Sequence, residues 1–267
     1  MSDPIRHLAL EIARCPVIDR VLSGRQSPCT DVVRFQKRPA RDRWVAEPWS
    51  GHVERARILF VSSNPSSGEP NSVPVPGDLT ASSDDAAIAH SFTDAFDDGQ
   101  WIGIHDGTHL RAADGAVGDY VAYWGSCKAR ASELLGRPTR PGIDYALTEV
   151  VHCGSRHETG VRAAAAECVT RYLERVLGLS PAAVVVVVGS VARDICRAMV
   201  PGLAVSSHLA GPLRWAGRDR RILFLPHPNA RGVPKGVAAF LGADATTILA
   251  PIHEALAKLS TSTGQTD

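Results

Sequence analysis

The sequence predicts an α/β fold, a central parallel-type sheet with helices on both faces. Three observations carry that expectation. Residues 57–62, 146–152, 182–188 and 221–226 are short runs that stay apolar without a polar alternation, the pattern of strands buried on both sides. Helix-forming stretches separate them, and alternating strands and helices build a parallel, doubly covered sheet. The chain of 267 residues, 44% hydrophobic, is long enough to bury a sizeable core.

Taken in order, residues 1–50 form an N-terminal segment carrying Cys15 and Cys29, residues 51–259 the α/β domain, and residues 260–267 a polar tail expected to fray. The first strand runs Ile58-Leu59-Phe60-Val61 and breaks into Ser62-Ser63-Asn64-Pro65-Ser66-Ser67-Gly68. Residues 66–119 are rich in Ser, Asp, Gly and Pro and read as a loop-rich excursion with one short helix over 84–96. The second strand leads through His152 to Cys153; after a polar break, a helix over 161–177 carries Cys168. A third strand over 182–188 and a Gly-Ser start introduce a helix over 191–199. The last strand ends in Pro226-His227-Pro228-Asn229-Ala230-Arg231-Gly232, and a helix over 245–259 closes the fold. In such sheets ligands bind beyond the carboxyl ends of the strands, so the chemistry is sought there.

A net charge of +1 and a pI of about 7.7 exclude a strongly basic architectural nucleic-acid binder and leave room for an enzyme that meets DNA through a local patch. Two basic runs exist: Arg34, Lys37, Arg38, Arg41 and Arg43, and Arg214, Arg218, Arg220 and Arg221. Solvated surface is the plain explanation of both. No apolar run suits a membrane span, and Met1-Ser2-Asp3-Pro4 lacks the apolar core of an export signal. A soluble cytoplasmic protein without disulfides is therefore expected.

Of six cysteines, Cys127 and Cys196 fall inside expected helices and read as small buried hydrophobes. Cys153 and Cys168 flank a strand-to-helix junction, and with Cys15 and Cys29 they make two pairs of thiols that can clamp an iron-sulfur cluster or a zinc ion against the edge of the fold. Plain burial is the alternative, and Cys15 and Cys29 are farther apart than a C-x-x-C pair. The turn after the first strand can face a ligand with its amides and short side chains, or be an ordinary Asn-Pro turn. His227, pinned between two prolines, has little backbone freedom; it is either a side chain aimed at a site or a surface histidine in a rigid loop.

Together these pieces resemble the uracil-DNA glycosylase superfamily, in particular its iron-sulfur branches, over the chain from about Trp44 to the last helix. Ser62-Ser63-Asn64-Pro65-Ser66 corresponds to the family's Gly-x-x-Pro-Gly-like turn and His227-Pro228-Asn229 to its closing His-Pro-Ser motif. Between them, Thr148-Glu149-Val150-Val151-His152-Cys153, the helix from Cys168 to Leu173, and Val187-Val188-Gly189-Ser190 stand in the family's order. The resemblance implies a three-layer α/β fold and a monomeric, nucleoid-associated DNA glycosylase of base-excision repair, removing a deaminated or otherwise modified base.

It further implies that Asn64 orients the attacking water and that His227 stabilises the departing base. Ser62, Ser63, Glu149, Asn229 and Arg231 would contact substrate, with 229–231 entering the minor groove. Cys15, Cys29, Cys153 and Cys168 would hold a structural 4Fe-4S cluster, with zinc as the alternative. Phe92, Tyr123 or Trp124 would cover the base. Two departures stand out: both glycines of the first turn are serines, and Glu149 replaces the asparagine that reads a uracil edge. An ionised carboxylate only accepts hydrogen bonds, so a base other than uracil is expected to be preferred. The alternatives are a nucleic-acid-binding protein that has lost the activity, and a hydrolase or transferase of free nucleosides.

Overall fold

A computed structural model describes residues 3–37, 43–66, 79–97, 103–112, 114–199 and 208–262. Three helices open it, α1 (Asp3–Ala13), α2 (Pro16–Leu22) and α3 (Thr30–Val33). Strand β1 (Ile58–Ser62) follows, then α4 (Asp85–Thr93), the short strands β2 (Gly103–His105), β3 (His109–Arg111) and β4 (Val117–Tyr120), and α5 (Ala122–Leu135). Next come β5 (Tyr145–Glu149) and α6 (Val161–Cys168), which passes through one π turn at Val169–Leu173 into α7 (Glu174–Leu179). The remainder is β6 (Val184–Val188), α8 (Ser190–Met199), the hairpin β7 (Leu209–Trp215) and β8 (Arg218–Leu225), then α9 (Val237–Leu241) and α10 (Ala245–Ser262).

The main sheet has the order β5-β1-β6-β8-β7, parallel throughout except for β7, which runs antiparallel to β8 at the edge. The four expected strands are its four parallel members. From β1 the chain goes to β5 on one side, then crosses to β6 on the other, so the strand order reverses at the carboxyl end of β1, the place where sheets of this kind bind ligands. Two-residue periodicity divides the side chains between the faces. Leu59, Val61, Val185, Val187, Ile222 and Phe224 join one core with α1, α2, α6 and α8. Ile58, Phe60, Val184, Val186, Leu223 and Leu225 join the other with α5, α9 and α10.

The N-terminal segment is part of this packing: Ile5, Leu8 and Ile12 of α1, Val32 and Val33 of α3, and Trp49 are buried in the first core. Residues 66–119 hold more structure than a loop with one helix, because β2, β3 and β4 form a second, antiparallel sheet. Edge strand β7 was also unexpected from the sequence; Pro212, which has no N–H, interrupts its apolar character and is tolerated at an edge.

Both basic runs need correction as plain solvated surface. Arg220 is 1% exposed and donates to the carbonyls of Leu177, Ser180, Ala182 and Trp215. Arg43 is 5% exposed and pairs with Asp19 at 2.5 Å. Arg34 and Lys37 are exposed, whereas Arg38 and Arg41, like Ser67 and Gly68 of the first turn, lie outside the described residues. No described helix is long and apolar enough to cross a membrane.

Candidate functional site

The four singled-out cysteines meet. Cys15 precedes α2, Cys29 precedes α3, Cys153 lies just beyond β5 and Cys168 ends α6; all four line one cavity with Val32, Val33, Val151 and Tyr172. The space between the lining atoms is about 300 Å3, its opening included. Each cysteine is 7–8% exposed, and none is in a disulfide. Cys127 and Cys196 are buried elsewhere, in α5 and α8, as small hydrophobes. The π turn begins immediately after Cys168, and such turns recur at functional sites because they shift the helix register locally.

Burial favours the neutral thiol at Cys29, Cys153 and Cys168. Burial raises Cys29, pushes Cys168 up to about 12 and Cys153 well up, and the neighbouring sulfurs add to each shift. The His152 backbone N–H, directed at Cys168, favours its thiolate instead. The acid in the lining, Glu167, is neutralised by Arg171 at 2.5 Å. This donor set, four thiols within apolar walls, fits a thiophilic centre. Among the described residues, only His52, Asp94 and Asp97 bring three potential ligand atoms within 4.8 Å of one another, so no three of the cysteine sulfurs do. A tetrahedral zinc with bonds of about 2.3 Å draws its sulfurs to about 3.8 Å from one another. The His52 group is a separate, partly exposed cluster with its own ion pairs to carboxylates.

The second gathering of polar residues lies at the carboxyl ends of the sheet. Ser62 closes β1 opposite Glu149, which closes β5, and the pairing continues past the strands: Val150 N–H donates to Ser62 O and Val151 N–H to Ser63 O. Ser62 and Ser63 are buried at 5% and 7% exposure. Asn64 donates through Nδ2 to Pro65 O at 2.8 Å, Ser155 Oγ at 3.1 Å and Cys153 O at 3.4 Å. Carbonyls cannot donate, so the amide nitrogen must face them, and Oδ1 accepts nothing from the described residues.

His227 lies two residues beyond β8, over Gly189. Its Nδ1 accepts the Asn229 backbone N–H at 3.1 Å, so in the neutral ring the proton is on Nε2. Burial lowers its pKa, Glu158 opposes, and Arg130 and Lys235 lower it further, keeping the ring neutral at pH 7. Asn229 and Arg231 are exposed beside it. Strands about 4.8 Å apart put the ends of β1 and β8, separated by β6, about 10 Å from each other.

Tyr123 links these ends. Its ring stacks on His227 at 5.7 Å and 17°, and its buried hydroxyl, beside Ser62 and Cys127, is pushed well up by burial, then by Cys127 and Glu149. Of the three aromatics expected to cover a base, Tyr123 is therefore the one in contact with the site. Phe92 is packed away in a small core with Ala13, Val45 and Ile88, and Trp124 packs against the second core.

Glu149 departs from the ionised carboxylate expected of it. Half-buried, with no ion pair or hydrogen bond to its side chain among the described residues, it has a pKa raised well above the carboxylate range by burial and then by the charge of Glu47. Burial pushes Glu47 itself up to about 7, although its side chain keeps solvent exposure. Glu47 and Ser155 were missed in the sequence because nothing local marks them: Glu47 reaches this end through pairing of its backbone N–H with His152 O at 2.9 Å. No family model matches this chain, and no curated protein matches it as a relative.

Proposed function

We propose that the chain is a DNA glycosylase that hydrolyses the N-glycosidic bond of a deaminated base, on a uracil-DNA glycosylase-like three-layer fold. The observation that carries the proposal is the convergence, beyond the carboxyl ends of parallel strands, of an amide with a free acceptor oxygen (Asn64), a neutral imidazole with its proton on Nε2 (His227) and a titrating carboxyl (Glu149), with Tyr123 touching the imidazole. Those are the parts needed to orient water, meet a developing anion and read a base edge.

The target nucleotide is flipped into the cleft at an unstacking cost of a few kcal/mol. As the bond from the sugar carbon to the base nitrogen lengthens, its electrons pass to the base, and His227 Nε2–H donates to that growing negative charge. Asn64 Oδ1 accepts a hydrogen bond from water, whose oxygen bonds to the sugar carbon and whose proton leaves to solvent. Neutral Glu149 both donates through O–H and accepts through C=O, which suits the adjoining carbonyl and N–H of uracil and of deaminated purines. Uracil is thereby returned to the expected substrates. Arg231 and Asn229, exposed beside His227, would contact the DNA backbone or groove.

Cys15, Cys29, Cys153 and Cys168 are the proposed holders of a 4Fe-4S cluster. The resemblance, rather than the spacing of the sulfurs, favours iron over a single zinc. When bound, the cluster supplies structural cross-linking of the N-terminal segment to the loop after β5. An abasic-site cleavage assay on oligonucleotides containing uracil, hypoxanthine, xanthine or a mismatch tests the activity. Abasic product is expected from at least one deaminated base; intact DNA with every one of them would refute it.

A further inference from the structure

The loop carrying Cys153 is fastened to the Asn64 turn by several hydrogen bonds. Asn64 Nδ2 donates to Cys153 O and Ser155 Oγ, while Ser155 N–H donates back to Pro65 O at 3.1 Å and Ser66 bridges to Ser155. On its other side the loop is held by Gln36, whose Nε2 donates to Gly154 O at 2.7 Å and which follows the Cys29 helix α3. Gln36 and Ser155 are each 3% exposed. A buried hydroxyl and a buried amide thus clamp three successive residues between the cysteine cavity and the Asn64 turn.

We propose that Ser155 is a positioning residue for Asn64, and that the loop 153–155 couples occupation of the cysteine site to the orientation of the Asn64 amide. The inference rests on the glycosylase and metal assignments above. Its physical content is simple. The amide nitrogen has two hydrogens and three acceptors, all on this loop or the adjoining turn, and their placement decides where Oδ1 points. A metal-bound Cys153 fixes one end of the loop. Releasing that sulfur allows the Cys153 carbonyl and Ser155 hydroxyl to shift, and displacement of a water-orienting group by about 1 Å can cost on the order of a hundredfold in rate.

Two measurements on the full-length protein test this. In single-turnover excision at saturating DNA, Ser155→Ala should be roughly tenfold to a hundredfold slower, with unchanged DNA affinity and iron content, and Ser155→Thr, which keeps the hydroxyl, should recover most of the rate. A Ser155→Ala rate equal to wild type, or a loss that follows loss of iron and of thermal stability, would overturn the positioning role. Separately, the chain has only three asparagines, Asn64, Asn71 and Asn229, so selective 15N-asparagine labelling gives few side-chain amide signals, with Asn64 assigned by its absence in Asn64→Asp. Removing the metal with a chelator should move the Asn64 pair and leave that of Asn229 in place; an unmoved Asn64 pair, or protein that never contained metal, would overturn the coupling. The amide signals need no activity, so DNA left uncut by wild type defeats the glycosylase assignment while this second test still reads the coupling.

Discussion

Glu149 and His227 owe their proposed chemistry to protonation states set by their surroundings. Burial, and then Glu47, raise the pKa of Glu149, so the neutral, donating form dominates at lower pH and is lost as pH rises through that value. Wild-type excision of uracil should therefore fall as pH rises through the Glu149 pKa, and Glu149→Gln, a permanent donor and acceptor, should abolish the fall; an identical pH profile in the two proteins would remove Glu149 from the base edge. His227 has the opposite shift: its lowered pKa favours the neutral ring, which accepts the Asn229 N–H at Nδ1 while donating from Nε2. His227→Ala should lower the single-turnover rate by about a hundredfold, about 3 kcal/mol, with little change in DNA affinity. A rate equal to that of wild type would show that His227 contributes nothing to bond cleavage.

Elements bring these residues together by different routes, and those routes differ in how plainly they were written in the sequence. The parallel strands were legible because Val184 to Val188 and Ile58 to Val61 are apolar at every position, which only burial on both faces requires. Their ends were legible too, so the turn at Ser62 and the segment at His227 could be named as site candidates. The β2–β4 sheet was not: its strands are three or four residues long and β4 is exposed throughout, leaving little periodicity to read. Arg220 was hidden for another reason, since a charged run ordinarily means solvent, whereas this guanidinium caps four backbone carbonyls between α7, β6 and the β7–β8 turn. Its pKa is lowered by burial to about 10, so it keeps its charge at neutral pH. Arg220→Met should leave those carbonyls unpaired and cost about 2–4 kcal/mol in urea denaturation; a change below about 0.5 kcal/mol would mean that water replaces the guanidinium at no cost.

At the level of the whole molecule, the cysteine cavity joins parts far apart in sequence: α2 and α3 from the N-terminal segment, the loop after β5, and the α6 terminus. The sequence could nominate these four cysteines, but their wide spacing did not show that they line one cavity, which follows from the packing of the N-terminal helices against the sheet. Protein purified without oxygen should be brown and contain iron and sulfide, and Cys153→Ala or Cys168→Ala should lose the colour; colourless, metal-free, folded wild type would reject ligation. Cluster and cleft both serve one proposed reaction, cleavage of a base from its sugar. The most direct measurement is mass spectrometry of the products after incubating wild type and His227→Ala with a uracil-containing duplex. Free uracil and an oligonucleotide lighter by the lost base are expected from wild type at a rate about a hundredfold above the variant. An intact oligonucleotide from wild type, or equal release of uracil by both proteins, would contradict the proposed site.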